Sequence, residues 1–194
     1  MSLWNTNSPS KRRKMQDNFF LGPDANVRFT LQNLRAHESS GAIRTDRTHI
    51  LNGISFGYSA NGRIGGKYCS TPSNMLALSL TCGSRSAPAW QCMTITLGPM
   101  DLGAAAAVGL VARSTAPQST LSRFTLRSGR GDDFVDQPFR KSLVSFASPS
   151  THLDVIEIDA APDLPRQAEW RDLILFFTPG PLEIELLDLR FFAV

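Results

Sequence analysis

The strongest constraint on this chain is a period of two. Apolar and polar residues alternate through a series of short segments, among them Val27 to Leu31, Met75 to Cys82, Cys92 to Leu97, Leu121 to Arg127, Leu153 to Asp159 and Leu182 to Phe192. A β-strand sends successive side chains to opposite faces, so this pattern builds strands with one face in a core and one in solvent. The 14 Gly and 12 Pro are spread along the chain rather than clustered, as many turns between short strands require. Regular spacing of the segments predicts an all-β fold, a two-sheet antiparallel β-sandwich of jelly-roll type.

Individual segments carry more specific expectations. Val27-Arg28-Phe29-Thr30-Leu31 reads as the first core strand, residues 33–49 as a polar connection, and Ile50 to Tyr58 as a strand interrupted by glycines. Ser59 to Tyr68 is glycine-rich enough for a loop or a bulged hairpin. It is not a phosphate cradle, because Gly66-Lys67 is followed by Tyr68 and no helical pattern comes after it. In Leu102 to Ala112 the alanines favour helix, whereas the glycines and the flanking Pro99 and Pro117 favour a buried strand of small side chains, the reading preferred here. In Leu121 to Arg127 the core side is predicted to be Ser122, Phe124 and Leu126. A bulge at Leu186-Leu187 would give the last strand a consistent apolar face through Leu187, Leu189 and Phe191.

A length of 194 residues suits one sandwich domain, and 42% hydrophobic against 19% charged residues is enough to fill its core. Residues 1–16 show no periodicity and are expected to be a flexible arm, with a single sandwich over 17–194. The net charge of +3 is accounted for by Lys11, Arg12, Arg13 and Lys14, so the sandwich itself carries no excess of positive charge to suit nucleic acid. Cys69, Cys82 and Cys92 are odd in number and lack a two-residue metal-knuckle spacing, which makes buried free thiols the expectation. With no apolar stretch of signal-peptide or membrane-span type, the chain is expected to be soluble and cytoplasmic by default. Oligomeric state is not legible.

Trp170-Arg171-Asp172-Leu173-Ile174-Leu175-Phe176-Phe177, the turn Pro179-Gly180-Pro181, and the alternating acidic and apolar residues from Leu182 to Phe192 resemble the closing hairpin of galactose-binding-like, carbohydrate-binding-module-type jelly rolls. The resemblance covers the last quarter of the chain. It implies a two-sheet jelly roll that binds sugars through loops or a concave sheet face, often with a structural calcium ion. Such faces use aromatic rings that stack on sugar C–H groups, together with planar donors and acceptors. Outside the arm the Trp and Tyr rings are Tyr58, Tyr68, Trp90 and Trp170, and Trp90 is a candidate sugar contact.

The chain has no Gly-x-Ser-x-Gly, no His-Glu-x-x-His and no Cys-x-x-Cys. His37, His49 and His152 are its only imidazoles and lack the tight grouping of a cupin-type metal site. The densest polar cluster is Arg123, Arg127, Arg130, Asp132, Asp133, Asp136, Gln137 and Arg140, on or beside one hairpin. Arg123 and Arg127 share a strand face, and Ser128 to Asp133 forms a turn at its mouth. Guanidinium and carboxylate groups suit a hydroxyl-rich ligand. They also suit a solvated edge whose charges prevent strand pairing. Asp132 and Asp133 are potential oxygen ligands for calcium, though far short of a cage. The resulting expectation is a non-catalytic module that binds a carbohydrate or a glycan-bearing partner through Arg123, Arg127, Arg130, Asp132, Asp133, Gln137 and Trp90. Behind it stand a coat-like assembly subunit using the basic arm and, third, a metal-dependent cupin-like enzyme.

Overall fold

In a computed structural model, which describes residues 22–83 and 85–194, twelve strands follow one helix. They are α1 (Ala25–Arg35), β1 (Ser39–Ile43), β2 (Arg47–Leu51), β3 (Ile54–Tyr58), β4 (Ile64–Thr71), β5 (Asn74–Cys82), β6 (Gln91–Thr96), β7 (Ala107–Thr115), β8 (Thr120–Arg130), β9 (Asp133–Ser145), β10 (Ser150–Glu157), β11 (Trp170–Phe177) and β12 (Leu182–Ala193). The arm expected over residues 1–16 lies outside the described residues.

The strands form two six-stranded antiparallel sheets, ordered β1-β4-β5-β12-β7-β10 and β2-β3-β6-β11-β8-β9. Their inner faces meet in one core that includes Leu78, Leu110, Ile184 and Leu189 from the first sheet and Phe56, Ile95, Phe124 and Leu173 from the second. The expected inward face of β8 is observed, with Ser122, Phe124 and Leu126 all buried. At one side the two sheets are tied together. The backbone N–H of Lys141 on β9 donates to Asp154 Oδ2 on β10 at 2.6 Å.

Four local readings of the sequence are corrected. Val27 to Leu31 belongs to α1, not to a strand. The residues it buries, Val27, Leu31 and Leu34, follow helical i, i+4, i+7 spacing, and Phe29 is left 63% exposed on the far side. A five-residue window that stops at Leu31 cannot distinguish the two periods. The stretch 33–49 is not merely a connection, since it contains the end of α1, all of β1 and the start of β2. Both strands are sheet edges, and within this stretch only Ile43 and Leu34 bury apolar side chains, so the pattern stays polar. Ile50 to Tyr58 is not one interrupted strand but the end of β2, a turn at Asn52-Gly53 and β3. Finally, of the stretch 59–68, expected as a loop or a bulged hairpin, only 59–63 is loop, and β4 from Ile64 pairs with β5.

Leu102 to Ala112 resolves as strand from Ala107 onward, with residues 102–106 in the preceding loop. The register of β12 shifts between Leu186 and Asp188, where a bulge was expected. Leu186 is the buried residue before the shift, and Leu189 and Phe191 are the buried residues after it, while Leu187 is half-buried.

α1 closes one end of the sandwich. Asn26 Nδ2 donates to the carbonyl of Leu97 at 2.9 Å, and Arg35 Nε to Asp188 Oδ1 at 3.2 Å, so the helix is fastened to both sheets. Among the described residues no helix is long and apolar enough to cross a membrane.

Candidate functional site

Strand register sets out the outer face of the second sheet row by row. Arg47 of β2 lies beside Gly57, Cys92, Phe176 and Arg123, taken in order across β3, β6, β11 and β8. The next row is His49, Ser55, Thr94, Ile174 and Thr125, followed by Thr96, Asp172, Arg127 and Asp136. Trp170, Gly129 and Phe134 complete the lattice. Small side chains dominate its middle at Ser55, Gly57, Cys92 and Thr94, and larger ones rise around them. The result is an open groove of about 760 Å³, bordered by Trp90, Arg47, Arg127 and Phe134 and floored in part by Asp172 and Ile174.

Trp90 stands just before β6, held where the backbone N–H of Ser59 donates to its carbonyl at 3.0 Å. Trp90 is 45% exposed. Near the other end of the groove, Arg127 donates from Nε and Nη2 to Asp136 Oδ1 and Oδ2, both at 2.7 Å. Its guanidinium carbon lies 3.9 Å from the centre of the Phe134 ring. This bidentate pair and cation–π contact fix a long side chain in one orientation. The hydrogen bond to Asp136 also raises the Arg127 pKa above its ordinary value.

Beyond that pair, Trp170 lies flat along the sheet because its partner is glycine. A Cβ on Gly129 would come within 2.1 Å of the indole. The indole Nε1 donates to the Gly131 carbonyl at 3.1 Å, and Glu169 Oε2 accepts the Gly131 N–H at 2.9 Å, pinning the hairpin tip. Gly131 itself takes φ +56°, suited to the first central position of the two-residue turn between Arg130 and Asp133.

Two ionisable groups under the groove are shifted by burial. The Asp172 carboxyl is pushed up by desolvation, against the opposing effects of the Thr96 hydroxyl and the positive charges of Arg127 and Arg47. Burial likewise pushes the Cys92 thiol up, against the opposing effects of the Thr94 hydroxyl and the Arg127 charge, and so favours its protonated form. The site therefore offers flat apolar rings, a fixed guanidinium and a half-buried carboxylate along one open channel.

Of the residues expected from sequence, Arg127 and Trp90 line this groove. Arg123 stands beside it on the same face, the cross-strand partner of Phe176. Arg130 and Asp133 border a separate shallow depression at the hairpin, Asp132 forms the turn, and Gln137 lies further along β9. Asp46, Arg47, Phe134, Asp172 and Phe176 were missed. Only Asp172 left a trace in the sequence, as a carboxylate that follows Arg171 directly and heads the apolar run Leu173 to Phe177. The others converge from β2, β9, β11 and the turn before β2, and only strand pairing brings them together. The histidines do not gather: His37 follows α1, His49 is on the outer face of β2, and His152 is on β10, stacked against Phe124 between the sheets. Among the described residues no group of three or more His, Cys, Asp or Glu is placed to hold a metal ion.

Two six-stranded antiparallel sheets of this order define the class of fold, the carbohydrate-binding-module type of jelly-roll β-sandwich. The sequence matches no protein-family model and no curated protein. Among solved structures, the chain is similar to the family 11 carbohydrate-binding module from Clostridium thermocellum in complex with a β-1,3-1,4-mixed-linked tetrasaccharide, with a TM-score of 0.53 and 10% identity over 80% of this chain and 98% of that one. It is similar as well to the CBM22-1 xylan-binding domain of Paenibacillus barcinonensis Xyn10C, at 0.50 and 10% over 81% and 96%. The N-terminal cellulose-binding domain of Cellulomonas fimi β-1,4-glucanase C gives 0.50 and 14% over 77% and 95%. At these identities the likeness is one of fold.

Proposed function

We propose that this protein is a non-catalytic carbohydrate-binding module whose ligand lies along the groove on the outer face of the second sheet. The observation that carries this reading is the distribution of groups in that groove: an exposed tryptophan ring toward one end, a guanidinium clamped between Asp136 and Phe134 toward the other, and a floor of small side chains between. Rings stack on the C–H faces of sugars, while fixed planar donors pair with hydroxyls. By strand spacing, the two ends are roughly 20–30 Å apart, which suits an extended oligosaccharide better than a single sugar. Structures of the same fold include modules described as binding xylan, cellulose and a mixed-linked glucan, in keeping with this reading.

A glycan array followed by calorimetry tests it. A polysaccharide or oligosaccharide is expected to bind, and Arg127→Ala is expected to weaken binding by about 1–3 kcal/mol, the range for losing a hydrogen bond to a charged group. Failure of every array glycan to bind the folded protein would refute the proposal. So would an Arg127→Ala variant that binds as well as the wild type.

A further inference from the structure

Asp172 is half-buried in the groove floor and, among the described residues, takes part in no ion pair. Its direct cross-strand partner Arg127 is turned the other way, committing Nε and Nη2 to Asp136. Nη1 of Arg127 makes no hydrogen bond among the described residues. A free guanidinium donor and an unpaired carboxylate acceptor thus stand side by side on adjacent strands, about 5 Å apart at Cα by antiparallel geometry. A ligand lying across this row meets both residues, one hydroxyl donating to the carboxylate and another accepting from the guanidinium.

We propose that Asp172 is the specificity-determining acceptor of the groove: as a carboxylate it takes hydrogen bonds from ligand hydroxyls beside the Arg127 donor, and on protonation it lets the ligand go. The inference rests on reading the groove as a glycan site. The channel is lined by two carboxylates, Asp46 and Asp172, and two guanidiniums, Arg47 and Arg127, with Asp136 and Arg123 beside it on the same face, so its charges balance and Asp172 is the carboxylate that meets a ligand on its floor. A carboxylate acceptor favours uncharged hydroxyls, which can donate to it, over uronate or sulfate groups, which only accept and bring a second negative charge.

Burial already holds the Asp172 pKa above the ordinary carboxylate value. A ligand that donates hydrogen bonds to the ionised form lowers that pKa again, so affinity is full above the raised pKa and falls as pH drops through it. The charged and titratable groups around Asp172 are Arg127 and Arg123 on β8, Asp136 on β9, Cys92 on β6, Arg47 and His49 on β2, and Asp46 just before β2. His49 is the histidine on this face of the sheet, so His49→Gln serves as the control for a change of charge at a residue other than Asp172.

Binding of a β-1,3-1,4-mixed-linked glucan tetrasaccharide and of a linear xylo-oligosaccharide is measured from about pH 8 down to about pH 4, with polygalacturonate as the anionic probe. The wild type is expected to lose affinity toward acid and to bind polygalacturonate more weakly than the neutral probes. Asp172→Asn should bind the neutral probe about tenfold more weakly at neutral pH and show no acid loss, whereas His49→Gln should keep the wild-type profile. Thr96→Val removes the hydroxyl that favours the ionised form, and should move the acid midpoint upward without altering the plateau affinity. An Asp172→Asn variant with wild-type affinity or an unchanged acid loss overturns the inference and leaves the groove reading standing. So does an unmoved midpoint in Thr96→Val. Wild-type protein that binds neither neutral probe overturns the inference, and if it binds no array glycan either, the groove reading falls with it.

Discussion

Arg171 and Asp172 are neighbours on β11, yet the strand sends them to opposite faces of one sheet and into opposite circumstances. Arg171 points inward and is fully buried. Its guanidinium donates to the carbonyls of Met100 at 2.8 Å, Pro165 at 2.7 Å and Arg166 at 3.1 Å, and to the Ser128 hydroxyl. Burial pulls its pKa down to about 10, but the side chain stays charged at neutral pH and ties two long loops to the end of the sandwich. Asp172 points outward, half-buried, with no ion pair among the described residues and a ligand-sized channel above it. A charge whose hydrogen-bonding capacity is taken up by its own chain holds structure together. One whose capacity is left over is available to something else.

The contrast predicts that substitutions inside the sheet alter stability and those outside it alter binding. The largest effect is expected at Arg171. Arg171→Ala leaves three carbonyls and a hydroxyl without their donor and opens a cavity, so denaturant unfolding should show a loss of about 3–5 kcal/mol. A loss below about 1 kcal/mol would mean that the loops are held by something else. Trp90 reverses the pattern: the residue is 45% exposed, so Trp90→Ala should cost about 1–2 kcal/mol of glycan binding by calorimetry and change the melting temperature little. A parallel loss of fold would break the division between the two faces.

His152 sharpens the comparison on the inner side. It is stacked against Phe124 with ring centroids 6.3 Å apart, and Nε2 is buried with no hydrogen-bond partner. Desolvation lowers its pKa from the ordinary 6.5, with Lys141 adding to the shift and Asp154 opposing it. The unfolded chain therefore binds the proton more readily, and stability present in full above the ordinary value is lost as pH falls through it toward the lowered one. Urea titrations of His152→Phe should show a flatter acid limb than those of the wild type. An identical acid limb would remove His152 from that account.

The smallest effect is expected at Asp132, which occupies the exposed hairpin turn outside the groove. Asp132→Ala should change stability by no more than about 0.5 kcal/mol and leave glycan affinity unchanged. A measurable loss of affinity would extend the binding surface to the hairpin tip.

Much of the fold was legible in local pattern because strand alternation needs only the sequence within one element. The inward face of β8 and the bulge in β12 could be anticipated for that reason, since a period of two and its interruption are both written in consecutive residues. α1 was misread because Val27 to Leu31 satisfies both periods until Leu34 is included. β1 was overlooked and β2 caught only at its end, merged with β3 in the run from Ile50, because edge strands bury few apolar side chains.

For the candidate site, sequence placed Arg127 in a polar cluster and Trp90 among the available rings, but nothing local connected them. Their common groove depends on β6, β11, β8 and β9 lying in that order, an arrangement set by pairing between residues as far apart as Thr96 and Asp172. The sequence by itself determined which residues alternate, and so the class of fold. Only the tertiary structure decided that Arg127 turns to Asp136 and that Asp172 is left without an ion pair among the described residues, because partners across a sheet are chosen by register, and register is a property of two strands together.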